Sequence, residues 1–129
     1  RRLVMPLEVD FVRLASYGQS STSAGEIKFT KDMETSLVGK HVLIVEDIID
    51  TGRSMNFLCR QLENRQAVSV SIAAFVDKPC RREVPVKADF VGFCIADGFI
   101  VGYGLDYAER YRELPGIYEL RLNNADAGL

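Results

Sequence analysis

The chain has 129 residues, with 16 basic and 18 acidic side chains and a formal charge of −2. A length of that order suits one domain around one core, and 47% hydrophobic with 26% charged residues excludes a disordered chain. No apolar run approaches the roughly 18 residues of a membrane span, and the slightly acidic balance argues against a general nucleic-acid binder. Cys59, Cys80 and Cys94 are isolated, which suits neither a disulfide framework nor a metal knuckle. No signal-peptide pattern follows Arg1 and Arg2, because charge returns at Glu8 and Asp10, and the isolated cysteines suit a reducing cytoplasm.

In chain order, residues 1–5 read as the end of a helix, and residues 7–15 as a strand with Leu7, Val9 and Phe11 on one face. Residues 16–36 are rich in Ser and Thr and read as a flexible loop, with a short hairpin around residues 26–30. Residues 41–45 hold four branched apolar residues in succession after His41, the pattern of a parallel strand buried on both faces. A loop through Glu46, Asp47, Asp50, Thr51 and Gly52 enters a helix in which Met55, Leu58, Cys59 and Leu62 recur at helical spacing. The helix ends near Asn64, and residues 69–76 form a second buried strand. Residues 77–82 are a charged loop containing Pro79, residues 89–95 a third strand, and residues 96–98 a turn. Residues 107–114 read as one or two helical turns, residues 117–122 as a last strand and residues 123–129 as a frayed tail. Strands alternating with a helix indicate an α/β sheet with right-handed crossovers.

The strongest chemical signal is residues 45–54, VEDIIDTGRS. Its acids sit at the carboxyl end of a buried strand, where open α/β sheets bind ligands. Asp50, Thr51, Gly52, Arg53 and Ser54 then span a loop and a helix start, whose free N–H groups and dipole favour phosphate. Gly52 permits close backbone approach, Thr51 and Ser54 add hydroxyls, and Arg53 adds charge. Carboxylates do not bind phosphate; they suit sugar hydroxyls, a metal ion or proton transfer. A ligand carrying phosphate, polyol and Mg²⁺ uses every part of this segment.

The string VLIVEDIIDTG, residues 42–52, resembles the phosphoribosyl diphosphate motif of type I phosphoribosyltransferases. VDFVRLASY (9–17), ADFVGF (88–93), FIVGYGLDY (99–107) and ERYRELP (109–115) narrow the resemblance to the hypoxanthine-guanine branch, in order over about residues 6–122. The resemblance implies an α/β type I phosphoribosyltransferase fold, a mostly parallel twisted sheet with flanking helices and a mobile lid loop. It implies one core domain over residues 1–129, the family's Leu-Lys-Gly type diphosphate loop and N-terminal hood residues having no counterpart in it. The implied reaction joins a 6-oxopurine to 5-phosphoribosyl 1-diphosphate, giving inosine or guanosine monophosphate and diphosphate.

Carried over position by position, the resemblance gives Glu46 and Asp47 to the ribose hydroxyls, partly through Mg²⁺. Asp50 becomes the general base or acid beside the purine, and Asp50, Thr51, Gly52, Arg53 and Ser54 the 5-phosphate cradle. Lys78 donates to the 6-oxo group, Phe99 stacks on the base, and Ile100 meets the purine edge through its backbone. Asp106, at the purine segment, is a second Mg²⁺ ligand; Arg112 reaches the diphosphate; Ser16 and Tyr17 lie on the closing lid. Partners implied are 5-phosphoribosyl 1-diphosphate, the purine or its nucleoside monophosphate, and further copies in a dimer or tetramer, with neither nucleic acid nor membrane.

Taken singly, each residue has a plainer reading: Lys78 a loop charge, Phe99 core, Asp106 a turn cap, Arg112 a surface charge, His41 a strand-entry residue. Three rivals stand beside the main reading. A receiver-type phosphorylation pocket would also place acids at a strand end, with Asp77 as a phosphate acceptor, but it has no use for the Asp-Thr-Gly turn. A non-catalytic nucleotide-binding relative and a xanthine-preferring enzyme are the others.

Overall fold

The computed structural model describes residues 3–17 and 25–121. They fall into two compact units, one of Arg1–Val42 with Arg53–Val70, the other of Leu43–Gly52 with Ser71–Leu129.

In the first unit, β1 (Arg13–Tyr17) pairs antiparallel with β2 (Glu26–Lys31), in a register that sets Leu14 against Phe29 and Ser16 against Ile27. The expected strand over 7–15 therefore begins late, and part of the expected 16–36 loop is strand. Ile27 and Phe29 alternate with exposed Glu26, Lys28 and Thr30, a period of two that fits a half-buried strand. Residues 3–12 carry no regular structure, so residues 3–5 do not continue a helix. Residues 18–24 of the loop, 1–2 of the expected helix end, and 122–129 lie outside the described residues.

Helix α1 (Arg53–Asn64) buries Met55, Leu58 and Leu62, as the helical spacing predicts. Beside it, the rings of Phe57 and Phe29 lie 5.4 Å apart. The helix closes in a Schellman motif: Ala67 N–H donates to the Leu62 carbonyl (3.3 Å) and Gln66 N–H to that of Glu63 (3.0 Å). Gln66 occupies the left-handed position, at φ 64°. Arg65 follows directly, donating to both Asp32 oxygens at 2.8 and 2.7 Å.

The central sheet has the order β3–β4–β5, with β3 at His41–Ile49, β4 at Ser69–Asp77 and β5 at Phe90–Cys94. β4 and β5 run parallel, Ala74 opposite Val91 and Val76 opposite Phe93. β3 is longer than its apolar run suggests and carries Glu46 and Asp47 inside the strand rather than in a loop. In the second unit Ile44, Ile49, Ile72, Ala74 and Val76 are buried on these strands. Val45, Phe75, Phe90 and Phe93 are exposed, Phe90 and Phe93 at 63% and 60%.

The loop after β4 contains a 3₁₀ turn at Pro79–Arg81. Beyond β5, β6 (Phe99–Val101) pairs antiparallel with β7 (Tyr118–Leu120). Between them the expected helix at 107–114 is absent. Gly102 pairs with Leu105, and Tyr107 with Arg110, across two-residue turns. Tyr103 and Gly104 have φ 54° and 100°, Ala108 and Glu109 φ 50° and 63°, the signature of type I′ hairpin turns. Ala, Glu, Arg and Leu favour a helix there, but Tyr103 N–H donating to the Leu114 carbonyl and Gly104 N–H to that of Arg112 fold the segment back on itself.

Candidate active site

In the second unit the carboxyl end of β3, the loop after β4 and the segment from Asp97 to Arg112 line a cleft of about 290 Å³. Of the residues singled out in the sequence, Asp47, Asp50, Lys78, Phe99, Ile100, Asp106 and Arg112 line it. Glu46, Thr51, Gly52, Arg53 and Ser54 are not among its lining. Glu46 precedes Asp47 on a strand, where successive side chains point to opposite faces. Ser16 lies on β1, and Tyr17 enters through its backbone pairing with Glu26.

Lys78 is buried, only 6% exposed, at the end of β4. Its N–H donates to the Ile49 carbonyl at 2.9 Å, which fixes the backbone. Its Nζ donates to the Gly98 carbonyl at 2.6 Å and lies 5.8 Å from the Phe99 ring centre. An ammonium has three donors, so further N–H capacity is available to a ligand acceptor. Phe99 is half exposed and held on edge by Tyr107, ring centres 5.2 Å apart. A core phenylalanine would be buried; this one presents apolar ring surface beside a cation.

The acids are arranged around this pair. Asp50 Oδ1 accepts from Arg81 Nε at 3.0 Å. That bond and charge, with Asp97 and Glu83 behind it, raise the Arg81 guanidinium above its ordinary pKa. Asp47 Oδ1 accepts from its neighbour Ile48 N–H at 2.7 Å. Burial, and after it the Asp47 charge, pushes the Glu46 carboxyl up to about 7. Asp106 Oδ2 accepts from Glu109 N–H at 2.9 Å, while Arg112 donates to the Gly104 carbonyl at 2.8 Å and pairs with Asp106 at 2.9 Å. Asp106 thus caps the turn, as its plainer reading has it, and also lines the cleft.

Asp50 and Thr51 lead through Gly52, at φ 81°, into the first turn of α1. That turn holds no acidic side chain, so its N-terminal dipole carries no local negative charge from the helix itself. Among the described residues no cluster of three or more potential metal ligands occurs.

The sequence reading missed Arg81 and Asp97, both on the cleft, and the ion pair of Arg82 with Asp77. Their only sequence signal was position: both arginines follow a buried strand at its carboxyl end, where loops carry ligand contacts.

Residues 1–108 match the family described as phosphoribosyl transferase domain. The chain belongs to that family. It is 51% identical over 115 residues to a hypoxanthine-guanine phosphoribosyltransferase of Bacillus subtilis, covering 89% of this chain and 64% of the relative. It is 46% identical over 117 residues to the Escherichia coli hypoxanthine phosphoribosyltransferase, covering 91% and 66%. A solved hypoxanthine phosphoribosyltransferase of Staphylococcus aureus superposes at a TM-score of 0.85 with 42% identity, over 92% of this chain and 64% of that one. The chain therefore spans just under two thirds of these relatives. The type I phosphoribosyltransferase fold expected from the sequence is the fold of this phosphoribosyl transferase chain.

Proposed function

We propose that this chain binds 5-phosphoribosyl 1-diphosphate and a 6-oxopurine, and transfers the 5-phosphoribosyl group to give inosine or guanosine monophosphate and diphosphate. The observation that carries the reading is the buried Lys78 ammonium beside the half-exposed Phe99 ring, on a cleft shared with Asp50, Asp106 and Arg112. A flat base stacks on Phe99 while its 6-oxo group accepts from Lys78. A 6-amino group would instead point donors at a donor, a penalty worth roughly 1–3 kcal/mol at a desolvated site.

The turn Asp50–Gly52 and the helix start at Arg53 and Ser54 take the 5-phosphate. Asp47, with Glu46 behind it on β3, takes the ribose hydroxyls. Asp50 moves the proton at the purine nitrogen, and Arg112 reaches the diphosphate. Ser16 and Tyr17 belong to the lid that the family resemblance gives to residues 16–36, which keeps water from an oxocarbenium-like transition state. Glycosyl transfer with little bonding to either partner depends on positioning and electrostatics rather than covalent help.

The residues fit Mg²⁺. That ion is held by one or two carboxylates together with substrate phosphates and water. Asp47 and Asp106 both open on the cleft, and Glu46 adjoins Asp47. When bound, Mg²⁺ supplies positive charge to the departing diphosphate. We read residues 1–129 as one core domain, acting in the cytoplasm as part of a dimer or tetramer, as the family resemblance implies.

Calorimetry with Mg²⁺ present tests the reading, comparing guanosine, inosine and adenosine monophosphates. Tight binding of the two 6-oxo nucleotides with weak binding of the third is expected. No binding of any by the folded chain, or equal binding of all three, overturns it. Asp50→Asn is expected to retain guanosine monophosphate while turnover falls by about 10²–10⁴; unchanged turnover removes Asp50 from its proton-transfer role.

A further inference from the structure

Arg82 stands next to the cleft rather than on it, and its bonds join the two loops that would hold opposite ends of a nucleotide. Its Nη1 donates to the backbone carbonyl of Asp50 at 2.6 Å, and its Nη2 pairs with Asp77 Oδ1. Both side chains of that pair are largely buried, 14% and 13% exposed. The carbonyl belongs to the turn Asp50–Gly52. Asp77 is the last residue of β4 and directly precedes Lys78. Backbone bonds follow the same seam: Glu83 N–H donates to the Thr51 carbonyl at 3.0 Å, Val84 N–H to it at 3.4 Å, and Lys78 N–H to the Ile49 carbonyl at 2.9 Å.

Gly52 adds an independent observation. A Cβ there would sit 2.8 Å from Arg82 Cδ and 3.3 Å from the Val84 carbonyl oxygen. The absence of a side chain at the phosphate turn is what leaves room for the Arg82 stem. A guanidinium is suited to this task because its planar fork donates in two fixed directions, here one to a carboxylate and one to a carbonyl.

We propose that Arg82 is a positioning residue: it clamps the phosphate turn to the Lys78 loop and so fixes the spacing between the phosphate and purine subsites. The proposal rests on the function proposed above. It concerns not the strength of either subsite but the advantage of occupying both with one ligand. That advantage depends on the subsites being held at the spacing the ligand presents.

The test uses three probes on the full chain: guanosine 5′-monophosphate, which spans both subsites, and guanosine and ribose 5-phosphate, which each occupy one. Affinities are measured by calorimetry or competition for the wild type, Arg82→Lys and Asp77→Asn, with melting followed in parallel. In Arg82→Lys, affinity for the monophosphate is expected to fall roughly tenfold or more, while the two fragments change by less than about threefold. Asp77→Asn keeps the size and an accepting oxygen at the other end of the clamp. It is expected to show the same pattern more weakly, and it serves as the test if Arg82→Lys does not fold. An equal loss for all three probes in a folded variant overturns the proposal, since a merely structural residue would weaken both subsites alike. An unchanged monophosphate affinity overturns it too. A folded wild type that binds none of the probes overturns the proposed function itself, which separates that failure from failure of the clamp.

Discussion

In the proposed function, Lys78 and Phe99 divide the work of base recognition between selectivity and affinity. Lys78→Met keeps the stem and removes the donor. Affinity for guanosine monophosphate is expected to fall by about 2 kcal/mol, with little change for adenosine monophosphate, so the preference between them collapses in a calorimetric comparison. Phe99→Ala removes the stacking surface and is expected to cost about 1–3 kcal/mol for both nucleotides alike, while Phe99→Tyr stays near wild type. Were Phe99→Ala to alter the preference but not the affinity, the assignment of the two roles would be reversed. The motif at residues 42–52 made the acids legible because they end a strand and precede a helix. Arg82 was invisible for the opposite reason: its partners are Asp77, five residues away, and a backbone carbonyl 32 residues away. Nothing local in the sequence marks such a bond.

At the scale of elements, the sequence pattern located α1 and the three central strands within a few residues but misread what closes them. Residues 107–114 are helix formers by composition, and hairpin pairing overrides that preference by placing Ala108 and Glu109 at positive φ. α1 ends under a similar tension. Gln66 holds the left-handed position that glycine takes without a Cβ penalty. Gln66→Gly is therefore expected to raise stability by roughly 0.5–1 kcal/mol in denaturant titration, after allowing for the looser unfolded chain. The strand pair β1–β2 is buttressed by acids. Asp10 accepts from the N–H groups of Phe11, Glu34 and Thr35 at 2.7, 2.8 and 3.0 Å. Those bonds hold its carboxyl far below the usual carboxylate range, and the Arg65 guanidinium lowers Asp32 as well. A depressed folded pKa contributes stability that is complete above the unfolded value, near 3.8, and is lost as pH falls toward the folded one. Denaturant midpoints should accordingly fall as pH drops below about 4, and Asp10→Asn should lower stability at neutral pH while flattening that acid slope. A slope unchanged by Asp10→Asn would assign the acid sensitivity elsewhere.

For the whole molecule, alternation of strand and helix was enough to indicate the α/β class, and the family match over residues 1–108 agrees with it. Burial was less legible. Residues 41–45 and 89–95 read as strands covered on both faces, yet Val45 is 77% exposed and β5 is exposed along its whole length. Continuous apolar sequence marks a strand built for two-sided contact; it does not say which contacts are present. Phe75 and Phe93, with ring centres 5.4 Å apart edge to face, form an aromatic pair that still meets water, with Phe90 and Val45 also exposed on the sheet. The chain should consequently behave as a sticky solute. Strong retention on a phenyl column, precipitation at low ammonium sulfate and enhancement of a hydrophobic dye's fluorescence in the folded state are all expected, and Phe93→Ser should weaken each of them.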